Sequence, residues 1–214
     1  MERILCVLIG YICGLFQTSY LYGKVHGIDI RNYGSGNAGT TNALRTLGAK
    51  AGAVTLLGDC FKCVVAVVIV HLIFGKSHPE MIRLLGMYAA AGTILGHNFP
   101  FYLHFKGGKG IAVSAAVIVV SNLHPVFIGV GLAVFILVVA VTRYVSLGSL
   151  IVVWYIPIFT LLYYRESDLF PVILIVSLLF TILAYIKHKA NIIRLIHGTE
   201  NKFGEKKEKK SEEN

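Results

Sequence analysis

Apolar residues occur in this chain in runs too long for a soluble core to absorb. Between Val64 and Phe74 only His71 is polar, and from Val126 to Val141 no charged residue appears. A helix needs roughly 20 residues to cross about 30 Å of hydrocarbon, and in lipid every backbone polar group must be satisfied within the protein. That reduces the choice to helices or a closed barrel, and runs of this length and continuity read as helices. The sequence therefore predicts an all-α integral membrane protein of about seven transmembrane helices with cytoplasm-facing polar loops. The expected spans are Ile4–Tyr22, Ala51–Phe74, Met81–Phe99, Gly110–Leu123, Pro125–Val141, Leu147–Tyr163 and Leu169–Ile186. The fourth is short, so five full spans with re-entrant pieces is the alternative. Hydrophobic residues make up 56% of the chain and charged ones 14%, which leaves no room for a separate soluble domain.

Charge placement orients these spans. Of the 20 Lys and Arg residues, fifteen fall on one side if the N-terminus lies outside. Arg3, Lys76, Arg83 and Arg165 fall on the other, and Lys62 lies within a span. Without the four tail lysines from Lys206 onward the bias is still eleven to four. Lys and Arg concentrate in cytoplasmic loops, so residues 23–50, 104–110 and the stretch from Lys187 onward are expected to share the cytoplasmic face. The net charge of +9 then reflects loops beside anionic lipid, and nucleic acid need not be invoked. Residues 1–186 read as the transmembrane domain. Residues 187–214 read as a cytoplasmic segment, with 205–214 a disordered mixed-charge tail. The first hydrophobic run reads as a retained helix rather than a signal peptide, since no small-residue cleavage site follows it.

Cysteine carries little chemistry here. Cys6, Cys13, Cys60 and Cys63 all lie in hydrophobic runs, and the single C-x-x-C lacks the second pair a structural zinc site wants. They read as small apolar filler, with no metal and no cofactor expected.

Three polar segments do carry chemistry. The first is Gly34-Ser35-Gly36-Asn37-Ala38-Gly39-Thr40-Thr41-Asn42, with Arg45 after it. Glycines let a backbone turn sharply and aim N–H groups at one point, while Ser, Thr and Asn add side-chain donors and Arg45 a fixed charge. That combination suits a phosphate. The second segment runs from Gly96-His97-Asn98-Phe99-Pro100 to Gly107-Gly108-Lys109-Gly110. Opening a helix, it offers free backbone N–H groups and an ammonium to an anion. It is not a Walker A loop, whose first glycine and closing Ser or Thr are missing. The third segment places Asn191 and Arg194 three apart on one helix face, between His188 and Gly198-Thr199-Glu200-Asn201-Lys202. Within the spans, Asp59 and Lys62 are spaced to pair, and Ser146 and Ser149 stand at a helix start where a hydroxyl either caps or meets ligand.

These three segments resemble, in order and spacing, the three motifs of the PlsY family, the acyl-phosphate-dependent glycerol-3-phosphate acyltransferases of bacteria. The resemblance implies acyl transfer from acyl phosphate to the 1-hydroxyl of sn-glycerol 3-phosphate, giving 1-acyl-sn-glycerol 3-phosphate (lysophosphatidate) and phosphate. It implies a multi-pass protein of the inner membrane with its site facing the cytoplasm, and an acyl-phosphate-forming enzyme as partner. Carried onto this chain, the catalytic set is Ser35, Arg45, Lys109, His188, Asn191 and Glu200. The substrate-binding set is Gly36, Asn37, Gly39, Thr41, Asn42, His97, Gly107, Gly108, Ser146, Arg194, Thr199 and Lys202. Acyl phosphate is assigned to Ser35, Asn37, Thr41 and Asn191. Glycerol 3-phosphate is assigned to Arg45, Lys109 and the Gly107–Gly108 turn; the two phosphates are interchangeable in this assignment. The chain has no H-x-x-x-x-D base arrangement, so the attacking hydroxyl is expected to lose its proton to the donor phosphate, with His188 and His197 as the other candidate acceptors. A small-anion transporter would instead spread polar groups through the bilayer. A lipid-binding scaffold would need basic clusters without the Gly-Ser-Asn loop.

Overall fold

The structure is a computed structural model that describes residues 1–120 and 125–204. The expected disorder of 205–214 lies outside the described residues, as does the end of the fourth span. Every apolar run forms helix, and among the described residues there is no strand. In chain order the helices are α1 (Glu2–Gly14), α2 (Thr18–Val25), α3 (Thr40–Leu47), α4 (Ala49–Phe74), α5 (Ile82–Asn98) and α6 (Ile111–Val120). They continue as α7 (Pro125–Thr142), α8 (Val145–Val152), α9 (Tyr155–Tyr163), α10 (Phe170–Lys187) and α11 (Lys189–Ile196). Short 3-10 turns at Ile30–Asn32 and Phe101–Leu103 shape the loops.

Seven spans is an approximate description of this arrangement. Among the described residues, four stretches are long and apolar enough to cross a bilayer: Glu2–Val25, Ala49–Phe74, Val145–Tyr163 and Phe170–Lys187. α5 has 17 residues and α7 has 18. The first and sixth expected spans are each broken, at Leu15–Gln17 and at Val153–Trp154.

The first break is held together by Gln17 within it and by side chains from distant segments. Ending α1 frees carbonyls that lipid cannot satisfy, so protein groups must take their place. The Gln17 amide donates to the Gly14 carbonyl at 3.1 Å and also to those of Gly96 and His97. Lys62 donates to the Phe16 carbonyl and Tyr102 to the Leu15 carbonyl.

α1 and α5 approach so closely that side chains are excluded between them. A Cβ on Gly10 would lie 1.9 Å from the Ala89 carbonyl oxygen, and one on Gly96 would lie 2.2 Å from that of Tyr11. Gly10 and Gly14, like Gly92 and Gly96, repeat at the four-residue spacing that brings membrane helices together by packing alone. Around this seam, α4, α5, α6, α9 and α10 bury Cys63, Leu84, Ile94, Val113, Ile156, Ile173 and Phe180. All four cysteines are free, and Cys60 Sγ donates to the Ala112 carbonyl. The loop before α4 turns at Gly48, whose φ of 88° lets one residue end α3 and start α4.

Candidate active site

Three segments distant in sequence meet at one end of the bundle. α10 ends at Lys187 and the chain bends at His188 into α11, an amphipathic helix. From α11, Asn191 accepts a short hydrogen bond from Lys109 Nζ. The Asn191 amide then donates to Glu200 Oε1 at 2.9 Å, and Arg194 Nε donates to Glu200 Oε2 at 2.8 Å. The expected shared face of Asn191 and Arg194 is therefore real, and the buried carboxylate of Glu200 binds them both. Glu200 braces Arg194; Lys202 is exposed and takes no part in the pair. Thr199 is exposed too, and its backbone N–H closes α11 on the Arg194 carbonyl.

Lys109 is the centre of the electrostatics. Burial lowers its ammonium to about 8; Glu200 pulls the other way, while Arg194, Lys187 and Arg45 push it further down. The cluster thus holds four cations, Arg45, Lys109, Lys187 and Arg194, against the one carboxylate of Glu200. Among the described residues only Arg194 of these four is ion-paired. A surplus of about three positive charges in partly dry surroundings is an unfilled demand for anions.

Two expected groups turn out to be engaged elsewhere. The N–H groups of Gly107 and Gly108 are not free, contrary to the sequence reading. They donate to the carbonyls of Asn98 and His97 at 3.3 and 3.1 Å. These positions are glycine because of space, since a Cβ on Gly108 would stand 2.0 Å from His97 Nε2 and 2.7 Å from the Ala38 carbonyl oxygen. That same contact joins the first segment to the second. His97 itself lies buried beneath the turn, with Nδ1 2.7 Å from Lys62 Nζ.

The first segment is organised by Asn42. Fully buried, it donates to the carbonyls of Ile30 and Tyr33 and accepts from the Ser35 N–H at 2.8 Å. Its amide therefore shapes the loop that presents Ser35, Gly36 and Asn37 at the surface, and Gly39 leads into α3. Thr41 lies half-buried and Arg45 exposed along α3. Asp29 and Arg31 brace the loop from below, with Arg31 Nη1 donating to the Leu103 carbonyl at 3.1 Å.

His188 is buried, with Nδ1 2.7 Å from the Ala184 carbonyl, so Nδ1 carries the proton and Nε2 is an acceptor. Burial, aided by Lys109, lowers the imidazole to about 4. His197 is exposed at the far end of α11. On α8, which packs against α11, Ser149 bonds back to the Val145 carbonyl and neither serine caps the helix. Among the described residues the buried Ser146 hydroxyl has no hydrogen-bond partner, which leaves it available to a ligand.

Sequence reasoning missed two contributors. Lys187 donates to the Asn98 carbonyl at 2.9 Å and sits 4.6 Å from the Phe99 ring centroid. As one of several basic residues after a span, it carried no signal of its own. Arg143, in a left-handed conformation with φ 61°, holds the Phe203 carbonyl with Nε and Nη2 and so pins the segment after Glu200.

Known proteins resemble this chain in sequence and fold. The family described as glycerol-3-phosphate acyltransferase matches residues 4–198. The glycerol-3-phosphate acyltransferase of Clostridioides difficile (strain 630) is 45% identical over 206 residues, covering 96% of this chain and 97% of its own. That of Trichlorobacter lovleyi is 42% identical over 193 residues, covering 90% and 93%. The crystal structure of PlsY (YgiH), an integral membrane glycerol 3-phosphate acyltransferase, in its glycerol 3-phosphate form superposes with a TM-score of 0.81 at 28% identity. It covers 95% of this chain and 96% of that one. The lysophosphatidic acid form gives 0.78 with the same coverage. Fold and site thus define the class, a multi-pass membrane acyltransferase of lipid biosynthesis. More particularly, this chain belongs to the glycerol-3-phosphate acyltransferase family.

Proposed function

We propose that this protein transfers an acyl chain from acyl phosphate to the 1-hydroxyl of sn-glycerol 3-phosphate, releasing 1-acyl-sn-glycerol 3-phosphate and inorganic phosphate. The observation that carries this reading is the surplus of cations around Lys109, Asn191 and Glu200. Two phosphate-bearing substrates supply the missing charge, whereas one neutral acceptor does not. Similarity to structures named for glycerol 3-phosphate and lysophosphatidic acid forms supports the acceptor and the product.

In this reading Arg45 and Lys109 hold glycerol 3-phosphate, and the Gly107–Gly108 turn acts by carrying Lys109. Ser35, Asn37, Thr41 and Asn191 hold the acyl phosphate, with Ser146 supplying its unpaired hydroxyl. The glycerol hydroxyl oxygen attacks the acyl carbon, the new ester C–O bond forms, and the C–O bond to the donor phosphate breaks. The proton leaves with that phosphate as hydrogen phosphate. His188, lowered to about 4, accepts a hydrogen bond from the hydroxyl through Nε2 and orients it, but is too weak a base to keep the proton at neutral pH. Positioning and charge neutralisation supply the acceleration.

The site lies on the cytoplasmic face of a bacterial inner membrane, with the N-terminus outside, where an acyl-phosphate-forming enzyme delivers the donor. Residues 1–186 form the transmembrane acyltransferase domain and 187–202 complete its site. Purified protein given labelled glycerol 3-phosphate should form product with acyl phosphate and fail with acyl-CoA or acyl-carrier protein; comparable rates with acyl-CoA would overturn the donor. In a cysteine-free background, cysteine at Thr46, Lys106 or Lys202 should react with an impermeant thiol reagent only in opened membranes. Cysteine at Ser77 or Ser167 should react in intact cells. Opposite sides for Thr46 and Lys106 would remove the single site.

A further inference from the structure

A second set of charged groups lies inside the bundle. Lys62 on α4 places its ammonium 2.9 Å from Asp59 Oδ1, 2.8 Å from the Phe16 carbonyl and 2.7 Å from His97 Nδ1. Thr18 adds a bond to the same Asp59 oxygen. An ammonium has three N–H donors and no acceptor, and here three acceptors take them. Nδ1 of His97 must therefore be the lone-pair nitrogen, and the neutral ring carries its proton on Nε2.

That choice matters at the site. His97 Nε2 and the Ala38 carbonyl oxygen both lie against Gly108, within 2.0 and 2.7 Å of where a Cβ would stand. With the proton on Nε2, the ring turns a donor toward the junction of the two loops, beside an acceptor. With the proton on Nδ1, it would turn a lone pair toward that junction and lose its bond to Lys62. The backbone at Gly108 also depends on this ring's residue, since Gly108 N–H donates to the His97 carbonyl. Gln17 bonds the same carbonyl from the α1 break.

We propose that Asp59 and Lys62 are positioning residues for the acyltransferase site. They fix His97 as its Nε2–H tautomer beneath Gly108, and so hold the first loop and the Lys109 turn in register for the phosphate. The positioning effect rests on the function proposed above, but the tautomer can be read without any substrate.

The test uses the full-length protein in lipid nanodiscs with nitrogen-labelled histidine. The His97 resonances, assigned as those lost in His97→Asn, should show Nε2 protonated and Nδ1 bare at neutral pH. In Lys62→Met the tautomer should shift toward Nδ1–H, and KM for glycerol 3-phosphate should rise about tenfold or more, the scale of one hydrogen bond to a charged group. Lys62→Arg should recover part of that affinity. A protonated Nδ1 in the parent protein overturns the proposal, and needs no variant to fold. An unchanged KM in Lys62→Met, or a fall in rate that tracks only the amount of folded protein, overturns the positioning role. Failure of the parent to use acyl phosphate would instead strike the proposed function and leave the tautomer result standing.

Discussion

His97 and Lys109 bracket one short stretch of chain, and each belongs to a cluster of charged and hydrogen-bonding side chains. Around His97, one lysine meets one aspartate, a carbonyl and an imidazole nitrogen, so charges cancel and every ammonium proton is used. Around Lys109, four cations face one carboxylate. A saturated, neutral cluster holds structure. An unsaturated cluster with charge to spare waits for a ligand. The count of cations and donors against anions and acceptors separates the two.

The largest expected effect tests the saturated side. Lys62→Met leaves Asp59 buried without its partner, and breaking one half of such a pair costs about 3–5 kcal/mol. A marked fall in thermal stability in detergent is expected, and the double variant Asp59→Leu with Lys62→Met should recover much of it. A single variant as stable as the parent would show that this cluster is not the structural one.

On the unsaturated side the sign reverses, with activity suffering and stability spared. Lys109→Ala and Arg45→Ala each remove a charge from a doubly anionic ligand, at about 1.5–3 kcal/mol, or roughly ten- to hundredfold in KM for glycerol 3-phosphate. Melting temperatures should hold or rise, because each change relieves repulsion among the remaining cations. Steady-state kinetics beside a thermal melt checks both halves.

A third prediction uses pH. The Lys109 ammonium, lowered to about 8, is charged below that value and neutral above it. The second phosphate ionisation, near 6, is already complete there. For the free enzyme, kcat/KM should therefore fall as pH rises through about 8, approaching tenfold per unit. Lys109→Arg, which keeps its charge, should lose that alkaline fall. An alkaline limb retained in the arginine variant would assign it to another group.

The smallest effect concerns the unpaired hydroxyl. Ser146→Ala removes a buried donor that has no partner among the described residues, so stability should change little or improve. Activity should drop by about 0.5–1.5 kcal/mol, roughly two- to tenfold. Unaltered kinetics would take Ser146 out of the site.

Much of the site is legible in the order of residues alone. Asn191 and Arg194 share a face because helix geometry puts third neighbours together, and Asp59 and Lys62 pair for the same reason. The breaks within the first and sixth spans are only partly legible. The polar triplet Gln17-Thr18-Ser19 interrupts the first apolar run, but nothing local says that Lys62 and Tyr102 come from a distance to complete the repair that Gln17 begins. Nor can the glycine spacing on α1 and α5 say which helix meets which.

By itself, the sequence determined the membrane-spanning helices, their orientation bias, and the three loops whose residues suit phosphate. These are local or compositional properties: length of apolar run, placement of Lys and Arg, and the company a glycine keeps. Only the tertiary structure decided which donors remain to be used. The Gly107 and Gly108 N–H groups were spent on the carbonyls of Asn98 and His97, and Glu200 went to Asn191 and Arg194 rather than to Lys202. The physical reason is that a hydrogen-bonding group can be assigned only once its neighbours are known. Those neighbours come from helices up to 89 residues apart in sequence.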